Sequence, residues 1–152
     1  MPRRKITPRL GDIFEIPLPN GQLTYGHILR GNLIGFYAVQ SDCRLLLEDL
    51  VRHGVAFRLV CTIDAIQTGG WPIIGNTPPP APMNEPVRFW RSSASGALFT
   101  YEWRAESSEE ETRATAVDIV GLEESVIWSS FAVIERLEHF FRGEPDPRVV
   151  IG

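Results

Sequence analysis

The chain has 152 residues, of which 15 are basic and 19 acidic, so its formal net charge is −4. This charge disfavours a general affinity for nucleic-acid phosphates or anionic membranes. A chain of this length buries enough surface to fold without disulfides or a structural metal, and we expect a single domain over residues 1–152.

The cysteines and the chain start bear on the cellular compartment. Cys43 and Cys61 do not form a CxxC pair, which favours reduced and mostly buried thiols over a disulfide framework. The basic start lacks the apolar core of a signal peptide, and no apolar run reaches the roughly 18 residues of a membrane span. We therefore expect a cytoplasmic protein.

The first third of the chain has the pattern of three short strands. Phe14, Ile16 and Leu18 alternate along the first strand, and residues 23–29 and 33–40 form the next two. Asn20-Gly21 suits the positive φ angles of a type I′ turn between the first two strands. A meander of this kind commonly curls into a small barrel.

A change of period then predicts a short helix and a further strand. Apolar residues recur at helical spacing within "CRLLLEDLVRHG", with Asp42 as a candidate N-cap and Gly54 at the C-terminal end. "VAFRLVCTI" follows as a strand. Residues 68–82 are rich in proline and glycine and predict a loop, with Trp71 as the side chain that anchors it.

The second half predicts three antiparallel strands and one long helix. The strands cover residues 85–91, 97–104 and 112–121, and Phe99, Tyr101 and Trp103 share one face. The helix begins at Ser129 or Ser130 and ends at Gly143. The predicted fold is α+β: a small-barrel-like meander and a three-stranded sheet, in lobes of about 8–76 and 86–147 joined by residues 77–85.

No stretch of the sequence has a strong catalytic or cofactor-binding motif. The chain lacks a P-loop, a dinucleotide-binding glycine pattern, a GxSxG elbow and an HExxH helix. His27, His53 and His139 lie far apart and lack the spacing of metal ligands. We therefore predict no catalytic residue, no metal and no cofactor.

An acidic run and the tryptophans are the candidate binding features. The run covers residues 106–111, and Glu109, Glu110 and Glu111 would steer a basic protein partner. Trp71 and Trp90 are candidate anchors of the same interface. The plainer interpretation is a solvated loop and core tryptophans. The sequence does not indicate an oligomeric state.

The opening "GDIFEIPLPNGQLTYGHIL" resembles the N-terminal signature of the immunity protein 26 family. "GGWPIIG" at 69–75 is similar to the Trp-Pro segment of that family, and the stretch from 121 to 147 to its closing helix. In outline the resemblance covers most of residues 10–147. It implies a non-enzymatic bacterial protein that binds one cognate toxin of a polymorphic toxin system and neutralises it by stoichiometric contact. It names no site residues.

Two other functions stay open from the sequence. The opening is also similar to that of the barrel ribonucleases of plasmid-maintenance systems, which carry an arginine just beyond the first hairpin, near the place of Arg30. Such an enzyme would gather His27, Arg30 and a carboxylate in one cleft. A module that binds proline-rich peptides would instead expose contiguous Trp and Tyr faces.

Overall fold

The computed structural model describes residues 5–103 and 110–146. The strands of these residues are β1 Asp12–Pro17, β2 Leu23–Ile28, β3 Leu33–Tyr37, β4 Val55–Cys61, β5 Ile73–Asn76, β6 Arg88–Ser92, β7 Leu98–Glu102, β8 Thr112–Ala114, β9 Glu123–Glu124 and β10 Ile127–Trp128. The helices are α1 Leu47–Leu50, α2 Asp64–Gln67, α3 Ala81–Asn84 and α4 Ser130–Phe141. Within the described part of the chain, no helix has both the length and the apolarity to cross a membrane.

The first sheet contains the predicted meander and extends it on both sides. Its strand order is β10-β4-β3-β2-β1-β5, and the four central strands pair antiparallel in chain order. At one edge β5 pairs antiparallel with β1, and at the other β10 pairs parallel with β4. Because β5 and β10 do not pair with each other, the sheet stays open and does not close into a barrel.

The second sheet contains the antiparallel strands predicted from the alternating pattern. Its order is β8-β7-β6-β9, in which β6, β7 and β8 pair antiparallel. The two-residue strand β9 adds a fourth, parallel member beside β6. The α+β prediction is therefore confirmed, and the second sheet has one strand more than expected.

Both faces of the first sheet are buried, which makes the fold three-layered. Phe14 and Ile16 belong to an apolar cluster that includes Val133 and Leu137 of α4. Ile13, on the opposite face, belongs to a second cluster that contains residues of the second sheet. Successive side chains of β1 point to opposite faces of the sheet, so this strand contributes to two cores. One core lies under α4 and the other under the second sheet.

Helix α4 begins and ends where the sequence predicts. The hydroxyl oxygen of Ser129 accepts a hydrogen bond from the backbone N–H of Ala132 at 3.1 Å, as an N-cap should. Gly143 follows the helix with a φ of 72°, the left-handed conformation that glycine supplies after a helix. The division into lobes of about 8–76 and 86–147 stays a prediction, and β10 and α4 pack on the first sheet.

The turn of the first hairpin differs from the type I′ turn that the sequence predicts. Asn20 does not have a positive φ, so Asn20-Gly21 is not a type I′ turn. Pro19 instead occupies the second position of a turn closed by a hydrogen bond from Gly21 N–H to Leu18 O at 3.0 Å. Paired positive φ angles, the mark of type I′, occur at the next turn, at Gly31 (67°) and Asn32 (65°).

Two predicted elements differ in extent. The helix expected after Asp42 covers only α1, because the preceding segment is held by other contacts: Tyr25 Oη accepts from Leu45 N–H at 3.0 Å, and Arg44 pairs with Glu15. The strand expected over 112–121 ends at Ala114. There the carboxylate of Asp118 accepts hydrogen bonds from the backbone and side chain of Thr115 and turns the chain.

The segment 68–82 is not the loop that its proline content predicts. It contains β5 and the start of α3. The β-branched pair Ile73-Ile74 suits an edge strand, and the carbonyl of Pro72 accepts a hydrogen bond from Glu15 N–H at 2.9 Å. Pro82 is tolerated because it lies in the first turn of α3, where N–H groups have no helical acceptor.

The pairing of Gly26 with Phe14 predicts sensitivity to a single methyl group. These residues lie opposite each other in β1 and β2, and a Cβ on Gly26 would lie 2.6 Å from Cε2 of Phe14 and nearer still to Cζ. Gly26→Ala should therefore reduce the free energy of unfolding by about 1–3 kcal/mol, as measured by urea denaturation. Gly54→Ala is the matched control, since no atom lies within 4 Å of its Cβ position. Equal stabilities of the two variants would contradict the packing argument.

Candidate protein-binding surface

One face of the second sheet collects the aromatic and basic side chains of its strands. Alternation and register send six residues to this side, which we name the aromatic face: Phe89, Arg91, Phe99, Tyr101, Trp103 and Arg113. The pairing places Phe89 opposite Tyr101, and Arg91 and Arg113 on either side of Phe99. The face therefore has an inner half of aromatic rings and an outer half that carries charge.

The inner half packs toward the first sheet. The ring centroids of Phe89 and Tyr101 are 6.0 Å apart, and Trp103 meets Phe89 edge-on at 5.8 Å. Phe89 and Tyr101 are buried in the same cluster as Leu33 and Tyr37 of β3. This half is thus the contact between the two sheets.

The outer half carries a cation–aromatic stack. The guanidinium carbons of Arg91 and Arg113 lie 4.7 and 5.7 Å from the ring centre of Phe99. Arg91 also forms a bidentate ion pair with Glu111, and its hydrogen bond lowers the pKa of that carboxyl group. Glu111 is therefore ionised and already has a cationic partner, whereas Glu110 is exposed beside it.

A recess of about 260 Å³ opens where the two sheets diverge. Its walls are apolar and aromatic side chains with one serine, and none of them is charged: Val60, Phe89, Tyr101, Trp103, Ser125, Val126 and Ile127. Val126 and Ile127 at its mouth are 45% and 71% exposed. The recess is continuous with the aromatic face, because three of that face's residues line it.

The outer wall of the recess is a short linking segment, residues 123–128, that passes from one sheet to the other. Its first two residues form β9 on the second sheet, and Ser125 N–H donates to the carbonyl of Trp90 at 2.7 Å. Its last two residues form β10 on the first sheet, where the carbonyl of Trp128 accepts from Thr62 N–H at 2.8 Å. The hydroxyl groups of Ser125 and Tyr101 are also hydrogen-bonded.

A buried arginine fixes the linking segment to helix α4. The Arg136 guanidinium lies 4.1 Å from the ring centre of Phe57 and 5.1 Å from that of Trp128. It forms a bidentate ion pair with Glu123, in which one of the two bonds measures 2.6 Å. Both side chains are largely shielded from solvent, with exposures of 9% and 14%.

Sequence reasoning missed the roles of Arg136 and the linking segment. Arg136 follows Val133 by three residues and therefore lies on the buried stripe of α4. A charged residue on a buried stripe requires a partner of opposite charge. An arginine at this helical position was therefore the signal in the sequence that could have indicated a buried ion pair. The strands β9 and β10 are two residues long and leave no periodic pattern to detect.

The structure does not bring the predicted contact residues together. Trp71 is 3% exposed and stacks on Phe14 with a centroid distance of 5.6 Å, so it lies in the core of the first sheet. Trp90 is half-buried and points to the opposite side of β6 from Arg91, the partner of Glu111. Glu110 and Glu111 are exposed, and Glu109 lies outside the described residues.

His27 is sealed inside the first sheet. Its Nε2 lies 2.8 Å from the carbonyl of Thr77, and because a carbonyl only accepts, Nε2 carries the proton. Tyr37 O–H then donates to Nδ1, also at 2.8 Å. Burial lowers the pKa of His27, which keeps the ring neutral. Arg30 is exposed on a turn, so these two residues do not share an open cleft.

The prediction of mostly buried thiols holds for Cys61 but is wrong for Cys43, which is free and exposed. Two other candidate reactive groups are occupied or buried. The carboxylate of Asp12 accepts hydrogen bonds from Arg9 N–H at 2.7 Å and from the Asn76 amide at 2.9 Å. Burial raises the pKa of the Cys61 thiol to about 12, so it stays protonated at neutral pH. Among residues 5–103 and 110–146, no group of three or more His, Cys, Asp or Glu side chains could hold a metal ion.

Comparison with known proteins decides the family. The sequence model of Immunity protein 26 matches residues 9–97 of the chain. The protein belongs to the Immunity protein 26 family. No curated protein and no solved structure matches the chain. The family match runs from the start of β1 to the turn before β7, so the resemblance of the closing helix lies beyond the matched residues.

Membership of the Immunity protein 26 family confirms the resemblance carried by the opening hairpin. The family is one of immunity proteins, whose partners in general are proteins. The matched residues contain five strands of the first sheet and β6 of the second. The recess draws its walls from both inside and outside this matched range.

The Arg136–Glu123 pair predicts a strong asymmetry between single and double substitutions. Glu123→Ala would leave the Arg136 guanidinium buried without its carboxylate, which should reduce the free energy of unfolding by about 3–5 kcal/mol in urea denaturation. The double variant Glu123→Leu/Arg136→Met removes both charges and should recover most of this loss. A single variant as stable as the double variant would contradict the assigned pairing.

Proposed function

We propose that this protein is an immunity protein that binds one cognate toxin and neutralises it by stoichiometric contact, without catalysis of its own. Membership of the Immunity protein 26 family over residues 9–97 carries the proposal. The sealed ring of His27 and the protonated thiol of Cys61 agree with a protein that works through its surface.

Contact inhibition needs only a modest part of the surface. A specific protein–protein interface covers roughly 800 Å² on each partner. The chain has 8973 Å² of accessible surface, so one such patch occupies about a tenth of it. A toxin whose active site is covered or distorted by this patch would be inactive for as long as the complex lasts.

We place the steering part of the interface at the acidic run. Glu110 and Glu111 are exposed beside the outer half of the aromatic face, and Glu109 precedes them in the chain. Acidic side chains at this edge would attract a basic toxin and raise the association rate. Trp71 and Trp90 are not part of the proposed contact, because one is in the core and the other lies on the opposite face.

The two alternative functions receive less support from the geometry. A ribonuclease-like site would need His27, Arg30 and a carboxylate in one cleft, but His27 is buried with both ring nitrogens hydrogen-bonded. A module for proline-rich peptides would need contiguous exposed Trp and Tyr faces. Trp71, Trp128, Tyr25 and Tyr37 are all buried.

The direct test uses the toxin encoded by the gene next to that of this protein. Co-expression should restore growth of cells that produce the toxin, and the purified proteins should form a complex of fixed stoichiometry in size-exclusion chromatography with light scattering. A toxin from an unrelated system should be neither bound nor neutralised. Absence of both complex and rescue would overturn the proposed function.

Charge reversal tests the steering role of the acidic run. Glu109→Lys/Glu110→Lys leaves the Arg91–Glu111 pair intact and should slow association with the toxin by roughly tenfold at low ionic strength. The effect should shrink as salt screens the charges. Stopped-flow or biolayer interferometry would measure the rates.

The matched control is Glu48→Lys/Asp49→Lys. Both residues are exposed on α1, and the double change alters the net charge by the same amount. If the two double variants slow association equally, overall charge and not the acidic run sets the rate. An unchanged rate in Glu109→Lys/Glu110→Lys would remove the run from the interface.

A further inference from the structure

The mouth of the recess combines an apolar cavity with exposed aliphatic side chains. Ile127 is 71% exposed although it belongs to a strand, and Val126 beside it is 45% exposed. Exposed apolar residues that adjoin a cavity mark a place where another molecule binds.

The size of the recess favours an amino-acid side chain over a small molecule. Pockets for drug-sized ligands occupy about 300–1,000 Å³ and contain a few placed polar groups. This recess has about 260 Å³, and among its polar groups the hydroxyls of Ser125 and Tyr101 are bonded to each other, which leaves the indole N–H of Trp103 as the one without a partner among the described residues. Its uncharged walls suit one or two apolar side chains of a partner.

The composition of the chain segment that carries the mouth of the recess indicates the sign of the partner. Residues 110–146 contain nine Asp and Glu residues against three Arg residues. Those arginines are engaged: Arg136 with Glu123, Arg142 with Glu144, and Arg113 on Phe99. Within the described residues, Glu110, Glu124 and Glu135 form no ion pair with a basic side chain. A basic surface is therefore the complementary one.

A second copy of this chain fits poorly for the same reason. Symmetric dimers bring one patch against its own equivalent. Each copy carries a formal net charge of −4, and like charges across an interface weaken it. The occupant that the charge distribution favours is a different and basic protein.

We propose that the recess, with Val126 and Ile127 at its mouth, is the anchor site for the toxin. The toxin inserts an apolar side chain between the two sheets and lays a flanking Lys or Arg residue beside Glu124, which directly precedes Ser125 of the recess wall. The inference rests on the proposed immunity function and assigns its contact surface. It also gives the aromatic face one continuous role, from the steering glutamates at its outer edge to the anchor at its inner end.

The test measures the affinity of the purified toxin from the neighbouring gene for single-residue variants. Ile127→Asp should weaken the complex about tenfold or more in isothermal titration calorimetry. A carboxylate at the mouth would have to lose its hydration where the apolar side chain of the toxin enters the recess. Val126→Asp should weaken it in the same direction. Both residues are exposed enough for the fold to be kept, which circular dichroism and thermal unfolding would verify.

Leu46→Asp is the matched control. Leu46 is 64% exposed, precedes α1 on another part of the surface, and gives the same change in size and charge. It should bind the toxin like the wild type. If Ile127→Asp and Val126→Asp also bind like the wild type, the anchor site is overturned and the immunity function stands.

Two further outcomes are distinguishable. If the wild type itself neither binds nor rescues, the proposed function fails and the anchor site fails with it. If the wild type is a dimer in light scattering and Ile127→Asp makes it a monomer, the recess belongs to a second copy of this chain, and the proposal is overturned.

Discussion

The Arg136 guanidinium is the interaction on which the arrangement of the layers depends. It leaves helix α4, rests on the rings of Phe57 and Trp128 in the first sheet, and pairs with Glu123 in the second. A buried guanidinium without these contacts would be costly, so arrangements that separate Arg136 from Glu123 are disfavoured. The strands it holds, β9 and β10, are too short to fix their own register by backbone hydrogen bonds.

The exposure of Ile127 follows from this arrangement. Trp128 pairs opposite Cys61 and points toward α4 and Arg136, and in a strand the preceding side chain points to the other face. Ile127 therefore pairs opposite Val60 on the side of the second sheet, at the edge that this sheet leaves uncovered. The proposed anchor site rests on this apolar side chain at an exposed position beside the recess.

The sequence predicts the elements that are long enough to carry a period. Alternation identifies β1 to β3 and β6 to β8, and the spacing of Ile134, Leu137 and Phe141 identifies α4 with its Ser129 cap. It does not predict β5, because Pro72 and Gly75 beside Ile73-Ile74 resemble a loop. It cannot predict β9 and β10, because two residues have no period and the strands with which they pair, β6 and β4, lie far back in the chain.

The candidate surface is harder to predict because it depends on strand register. Trp90 and Arg91 are neighbours in sequence, yet only the pairing of β6 with β7 decides which of them shares a face with Phe99 and Glu111. Trp71 likewise has the composition of an interface anchor, and its stacking on Phe14 depends on a contact between residues far apart in the chain. Residue type indicates which side chains are able to bind a partner, whereas the fold decides which of them are exposed at the surface.

The walls of the recess are formed by hydrogen-bonded strands and by the linking segment. β4 supplies Val60, β6 and β7 supply Phe89 and Tyr101, and the linking segment is bonded to both sheets. A site built in this way exists before the partner arrives, so binding need not order a loop and loses less conformational entropy. An immunity protein must capture its toxin before the toxin acts. The proposed anchor and the proposed steering glutamates would serve this need in two ways: the charges would speed the encounter, and the anchor would slow dissociation.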